Sequence, residues 1–204
     1  SEYVDSITLN NLLNKDSINI LPFKNETHNY QEIAVISVEI NNQKKSKEIA
    51  NIILHIPYPV VLILIYKEQI QINISPKRLN ITDVTKLVVE EQYYTNWIDT
   101  NNLTELSSEF LSSLDSINHP FTNFKDFFTS LVKSIIAFNA SEISGKFESK
   151  EDTRVLLQDI KNIEAIIQDI KSKIQKETNF NDKVKLNIDL KTQKDNLEKL
   201  KEKL

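Results

Sequence analysis

Hydrophobic and polar positions alternate differently along successive stretches of this chain, and each stretch predicts its own element. From Gln31 to Asn41 (QEIAVISVEIN), Ala34, Ile36, Val38 and Ile40 interleave with Ile33, Val35, Ser37 and Glu39. That period of two, rich in branched side chains, predicts a strand with one well-buried face. Pro59 to Tyr66 (PVVLILIY) is apolar on both faces, whereas Gln69 to Ser75 (QIQINIS) sets Ile70, Ile72 and Ile74 against polar neighbours. Joined by Lys67-Glu68, they predict a hairpin of one central strand and one strand at a sheet edge or with a solvent-facing side. Thr85 to Trp97 (TKLVVEEQYYTNW) predicts a further strand. Between the first two strands, roughly Lys44 to Ile56, Ile49, Ile52, Ile53 and Ile56 fall at helical spacing until Pro57 and Pro59 stop the helix. The order strand, helix, strand, strand, strand predicts a mixed sheet whose crossover helix joins parallel strands.

Helical spacing recurs outside that block. Tyr3, Val4, Ile7 and Leu12, with Leu9 and Leu13 as a second stripe, predict a short amphipathic helix over Tyr3–Leu13. Leu103 to Ile117 and Phe124 to Phe138 predict two more helices; the second carries Phe124, Phe127, Phe128 and Phe138, an aromatic stripe best explained as core packing. In the tail, Leu156, Ile160, Ile163, Ile167, Ile170 and Ile174 step by fours and threes, the seam of a coiled coil. A second arm, Leu186, Leu190, Gln193, Leu197, Leu200 and Leu204, steps the same way. Polar pairs around Phe180 in KETNFND (176–182) favour a turn, so the arms are expected to fold back as an antiparallel helical hairpin rather than run on as one long helix. The expected organisation is a mixed α/β domain over 1–148 and a helical hairpin over 149–204.

Composition narrows the chemistry. The chain has 204 residues, formal charge -4 and no cysteine, which excludes disulfides, thiolate metal sites and cysteine nucleophiles. Its one glycine, Gly145, excludes the glycine-rich phosphate loops of P-loop and dinucleotide folds. Ile (28), Lys (23) and Asn (22) dominate and Arg appears only at 78 and 154, the imprint of an AT-rich microbial coding sequence. Residues 151–204 hold 12 basic and 11 acidic side chains, so neither part has the basic excess of a dedicated duplex-DNA binder. Lys44, Lys45 and Lys47 form a local basic patch that suits a solvated helix end. The longest apolar run is far short of a membrane span, no signal peptide opens the chain, and a cytoplasmic location is expected. The missing methionine at position 1 suggests that Ser1 is not the native start.

Two constellations stand out as candidate chemistry. Glu39, beside the first strand, and Asp83, Glu90 and Glu91, beside the last, are the acids a restriction-type nuclease core would use to hold Mg2+. The lysine of that motif is absent, because Asn41 stands where it would sit, so no catalytic residue, metal or cofactor is assigned. His55 reads as a helix-end histidine rather than a general base. Tyr93, Tyr94 and Trp97 are candidate partner-binding anchors, with core packing as the competing explanation.

Several segments together resemble the bacterial family called domain of unknown function 4391: LNKDSINI (13–20), QEIAVISVEI (31–40), IPYPVVLILIY (56–66), EQYYTNW (91–97) and, most specifically, the tail with Lys176-Glu177, Phe180-Asn181, Lys183-Val184 and Leu186-Asn187. The resemblance implies an accessory protein of a restriction-modification or anti-phage system, since genes of that family are commonly found beside methyltransferase and helicase genes. The expected function is therefore a non-catalytic interaction module that binds the helicase or DNA methyltransferase of its locus through Tyr93, Tyr94, Trp97 and Phe180, touching nucleic acid through that partner. A divergent Mg2+-dependent nuclease-like domain is the alternative, and a homodimer built on the hairpin is a third arrangement.

Overall fold

The computed structural model describes residues 2–148, 150 and 152–204. Its elements run β1 (Val4–Leu13), α1 (Lys15–Ile18), β2 (Phe23–Lys24), β3 (Asn29–Tyr30), β4 (Ile33–Ile40), α2 (Ser46–Ile53), β5 (Val60–Tyr66), β6 (Gln69–Ser75), β7 (Lys77–Leu79), β8 (Leu87–Val89), β9 (Tyr93–Tyr94), β10 (Ile98–Asp99), α3 (Glu105–Ser113), α4 (Phe124–Ser144), α5 (Thr153–Lys176) and α6 (Phe180–Lys201). The mixed α/β class expected from the pattern is the one observed. By compactness the chain divides into residues 1–138 and 139–204. The expected boundary at 148–149 falls on residue 149, outside the described residues.

A six-stranded sheet organises the first unit in the order β1-β4-β5-β6-β10, with β9 also paired to β6. β4 and β5 are parallel, Ala34 through Glu39 facing Val60 through Ile65, and α2 makes the crossover between them. One face of these strands presents Ala34, Ile36, Val38, Ile40, Val60, Leu62 and Leu64 to Ile49, Ala50, Ile53 and Leu54 of α2 and its end, all buried. The helix stops at Ile53, and Leu54 caps it before the prolines arrive. The β5–β6 hairpin reverses at Lys67, whose φ of 54° is in the left-handed region that a tight turn demands.

Two expectations need correction. Residues 4–13 form a strand, not a helix: β1 pairs antiparallel with β4 from Val4↔Ile40 to Leu13↔Ile33. Ile7 and Leu9 are exposed, so the apolar spacing there marks no buried helical face. The ladder offered by the free edge of β4 outweighs a helical preference already weakened by Asn10, Asn11 and branched Val4, Ile7 and Thr8. β6 is not a half-solvated strand either. It lies between β5 and the β9–β10 segment, and Gln71, Asn73 and Ser75 are all buried. Gln71 Nε2 donates to the Thr95 carbonyl at 3.0 Å and Ser75 Oγ to Asn73 Oδ1 at 2.7 Å. These bonds compensate the desolvation of the amides and hydroxyl.

The stretch Thr85–Trp97 breaks into β8 and β9. Thr95 bridges β9 to β10 by donating its N–H to Ile72 O at 3.0 Å and accepting Ile72 N–H on Oγ1 at 3.1 Å. α4 buries Phe124, Phe127, Phe128, Leu131, Ile135 and Phe138, as their spacing predicts; Phe138 stacks on Phe110 with ring centroids 4.4 Å apart. Gly145, at φ 75°, ends α4 in the left-handed conformation that favours glycine.

In the second unit α5 and α6 pack against each other as a hairpin joined through Glu177–Asn179. The predicted seam is the sheltered side: Leu156, Ile160, Ile167 and Ile170 are buried and Ile163, Ile174, Leu186, Leu190, Leu197 and Leu200 half-buried. No described helix is long and apolar enough to cross a membrane.

Asparagines make many of the chain reversals. Asn14 Oδ1 accepts the N–H groups of Asp16 and Ser17 at the start of α1, and Asn179 Oδ1 those of Asn181 and Asp182 at the start of α6. Asn25, Asn42 and Asn80 do the same in loops, accepting from His28, Lys44 and Thr82.

Candidate functional site

The four candidate acids have different surroundings. Glu39 is exposed on β4. Asp83, in the β7–β8 loop, accepts from the Thr85 hydroxyl and its backbone N–H and pairs with Lys86 at 2.9 Å. Those hydrogen bonds, the Thr85 hydroxyl foremost, hold its carboxyl down to about 2. Glu90 lies 3.5 Å from His28 Nε2, and Glu91 accepts from Tyr93 Oη at 2.5 Å. Among the described residues no group of three or more His, Cys, Asp or Glu side chains is placed to hold a metal ion.

The aromatic candidates line the outer side of β6. Tyr93 and Tyr94 pair with Ile74 and Asn73, so their rings leave the strand on opposite faces. Lys47 of α2, expected as part of a solvated helix end, places its ammonium 5.5 Å from the centre of the Tyr94 ring. Trp97 packs on the core beneath α2 and meets Tyr66 edge-on at 6.4 Å. All three rings are half-buried.

A groove of about 760 Å³ opens between the end of α2 and the β7–β8 hairpin, lined by Asn51, His55, Pro57, Lys86, Val89 and Gln92 among others. Gln92 Nε2 donates to Asn51 Oδ1 at 2.7 Å and ties the two walls together. His55 Nδ1 lies 2.7 Å from the Asn51 carbonyl. A carbonyl only accepts, so Nδ1 is the donor in this contact. The strand-and-turn pattern gave no sign of this groove, because β7 and β8 have three residues each, too few to show a period.

Lys77 was equally hidden. It reads as part of a polar loop after Pro76, yet it is 1 % exposed. Its ammonium donates to the Ile56 carbonyl, and its backbone N–H donates to Tyr30 Oη at 3.0 Å. Burial lowers the Lys77 ammonium to about 8 and, in the same neighbourhood, pushes the Tyr30 phenol up to about 12.

The hairpin tip is the most open apolar position of the expected set. Phe180 opens α6 and is 77 % exposed. Glu177 Oε1 accepts the Asn179 N–H at 2.7 Å, and Asn179 in turn caps α6, so the loop beneath the ring is hydrogen-bonded. Val184 and Ile188, four and eight residues on, are exposed as well; their spacing was visible in the sequence beside the stronger leucine seam. The structure thus puts Tyr93, Tyr94 and Trp97 at one edge of the sheet, and Phe180 at the start of α6 in the other unit.

No curated protein and no solved structure was found to match this chain. A family model does, over residues 1–197, nearly the whole length and including every segment that carried the resemblance. The chain belongs to the family described as Domain of unknown function (DUF4391).

Proposed function

We propose that this protein is a non-catalytic accessory subunit of a bacterial restriction-modification or anti-phage system, acting in the cytoplasm and docking on the helicase or DNA methyltransferase of its locus. The observation that carries the proposal is Phe180: a large aromatic ring, 77 % exposed, held on a capped helix start at the end of a two-helix arm. Such a ring is a typical interface anchor, rigid and costly to leave in water. Tyr93 and Tyr94, with polar tips and half-buried rings, supply a second contact region, while Trp97 supports it from the core. The absence of a metal-holding acid group among the described residues weighs against the nuclease-like alternative. The locus supplies the candidate partners through the family resemblance, and nucleic acid is reached through them.

Co-expression of the tagged chain with the helicase and methyltransferase genes that neighbour it tests this. A stoichiometric complex is expected, with recovery of the partner falling about tenfold or more in Phe180→Ala. A chain that purifies alone in the presence of both overturns the docking role, and Mg2+-dependent cleavage of DNA by that solitary chain would establish the alternative.

A further inference from the structure

α6 has two apolar faces, and only one is used within the hairpin. Leu186, Leu190, Leu197 and Leu200 are its sheltered side. At about 100° per residue, Phe180, Val184 and Ile188 fall within about 80° of one another on the opposite side. They are 77 %, 42 % and 61 % exposed. Side chains four apart stack along a helix, so the three make a continuous ridge.

The charges beside the ridge are lysines. Lys183 and Lys185 flank Val184 on its two sides, and Lys191 follows Ile188 by one turn. Lys185 pairs with Asp182 at 3.1 Å, while Lys183 and Lys191 enter no ion pair among the described residues. Of the acids of α6, Asp182 pairs with Lys185, Asp189 lies toward the leucine side, and Asp195 and Glu198 come on the ridge's own face only about 10 and 15 Å beyond Ile188 along the axis. A second copy of the chain is a poor occupant. Parallel packing of two ridges sets Lys183 against Lys185 of the other copy, and antiparallel packing about Val184 sets each of these two lysines beside its equivalent. Both arrangements bring like charges together where the interface would exclude water.

We propose that the Phe180–Val184–Ile188 ridge of α6 docks an amphipathic helix of a partner protein whose apolar face is flanked by aspartates or glutamates. This rests on the docking role proposed for the hairpin and names the chemistry of what it meets. The apolar ridge supplies contact area, and the unpaired Lys183 and Lys191 select the acidic flank.

The test uses the full chain and a pair of fluorescein-labelled helical peptides of about 20 residues with one leucine face, flanked by glutamates in one and by lysines in the other. The glutamate peptide is expected to bind at least about tenfold tighter than the lysine peptide at low salt, and to lose that advantage in about 0.5 M salt. Val184→Ser/Ile188→Ser should abolish binding, and Lys183→Glu/Lys191→Glu should reverse the preference. These exposed positions leave the fold intact, which unchanged circular dichroism verifies. Equal binding of both peptides, no binding of either, or a concentration-dependent dimer that the Val184→Ser/Ile188→Ser variant dissolves overturns the inference. A partner complex that forms but ignores the lysine reversal would leave the docking role standing and refute the acidic helix alone.

Discussion

β6 and α5 both carry polar and apolar side chains in regular alternation, and they dispose of the polar ones in opposite ways. In α5 the stripe Leu156, Ile160, Ile163, Ile167, Ile170 and Ile174 is the sheltered side, while Gln158, Lys161, Gln168 and Lys171 are exposed. In β6, Gln71, Asn73 and Ser75 are buried, with hydrogen bonds inside the protein. The reason is the number of sides on which each element is covered. A hairpin helix with one packing stripe leaves the rest of its circumference to water, so polarity there marks solvent. A strand with neighbours on both edges and layers on both faces has no solvent side, so polarity there marks a hydrogen-bond network.

The largest expected effect attacks the seam. Ile160 is 2 % exposed, and Ile160→Asp places a charge in an apolar seam; we expect a loss of about 4 kcal/mol or more, seen as loss of helical signal at a lower denaturant concentration. A loss below about 1 kcal/mol would mean that the seam is not tightly packed.

Lys77 sharpens the contrast from the sheet side, because it is a buried cation whose ammonium donates to a neutral carbonyl, that of Ile56. Its folded-state value of about 8 lies below the usual 10.5, so below pH 8 both states are protonated and the full burial penalty applies. As pH rises from 8 toward 10 the unfolded chain keeps its proton longer, and stability should rise by about 2 kcal/mol. Above 10 the raised Tyr30 works against further gain, since its folded phenol holds a proton that the unfolded one has lost. Lys77→Met should stabilise the protein at pH 7 by about 2 kcal/mol and remove the rise. The Ile56 carbonyl is not orphaned by that change, for it still accepts the Tyr58 N–H at 2.8 Å. Chemical denaturation at pH 7, 8, 9 and 10 measures both, and a flat wild-type profile would contradict the assignment.

The smallest expected effect tests the network. Thr95→Val keeps the shape but leaves the buried Ile72 N–H without its acceptor, at a cost of about 1–2 kcal/mol, whereas Lys171→Ala on the open side of α5 should stay within about 0.5 kcal/mol. Equal effects at the two sites would erase the distinction between network and solvent polarity.

How legible each part was in the sequence follows from the same contrast. The crossover from β4 through α2 to β5, the β5–β6 hairpin, the aromatic stripe of α4 and the tail seam all declare themselves in a local period, and all are present. What local pattern missed depends on distant partners. β1 has helical spacing but is a strand because β4 lies beside it with an open edge. β7 and β8 are too short to show a period, so the groove they wall and the burial of Lys77 were invisible. The candidate residues were legible as types, and Phe180, placed at the turn between the arms, is exposed there. Their roles were less so: Trp97 is engaged by Tyr66 and the core, and Glu91 by Tyr93. Val184 and Ile188 went unnoticed because the neighbouring leucine repeat is stronger.

The asparagine-made turns have a consequence for how the protein ages. Spontaneous deamidation is fastest where glycine follows asparagine, and the single glycine here follows Ser144. The residues after Asn14, Asn25, Asn42, Asn80 and Asn179 are Lys15, Glu26, Gln43, Ile81 and Phe180, whose side chains hinder the cyclisation. Where the amide is nonetheless lost to give aspartate, Oδ1 stays in place as the acceptor, and at Asn14 and Asn179 the new negative charge sits at a helix start, where the backbone dipoles welcome it. At these caps the commonest chemical lesion of an asparagine-rich chain is slowed by the following side chain, and its simple hydrolysis product does the same work.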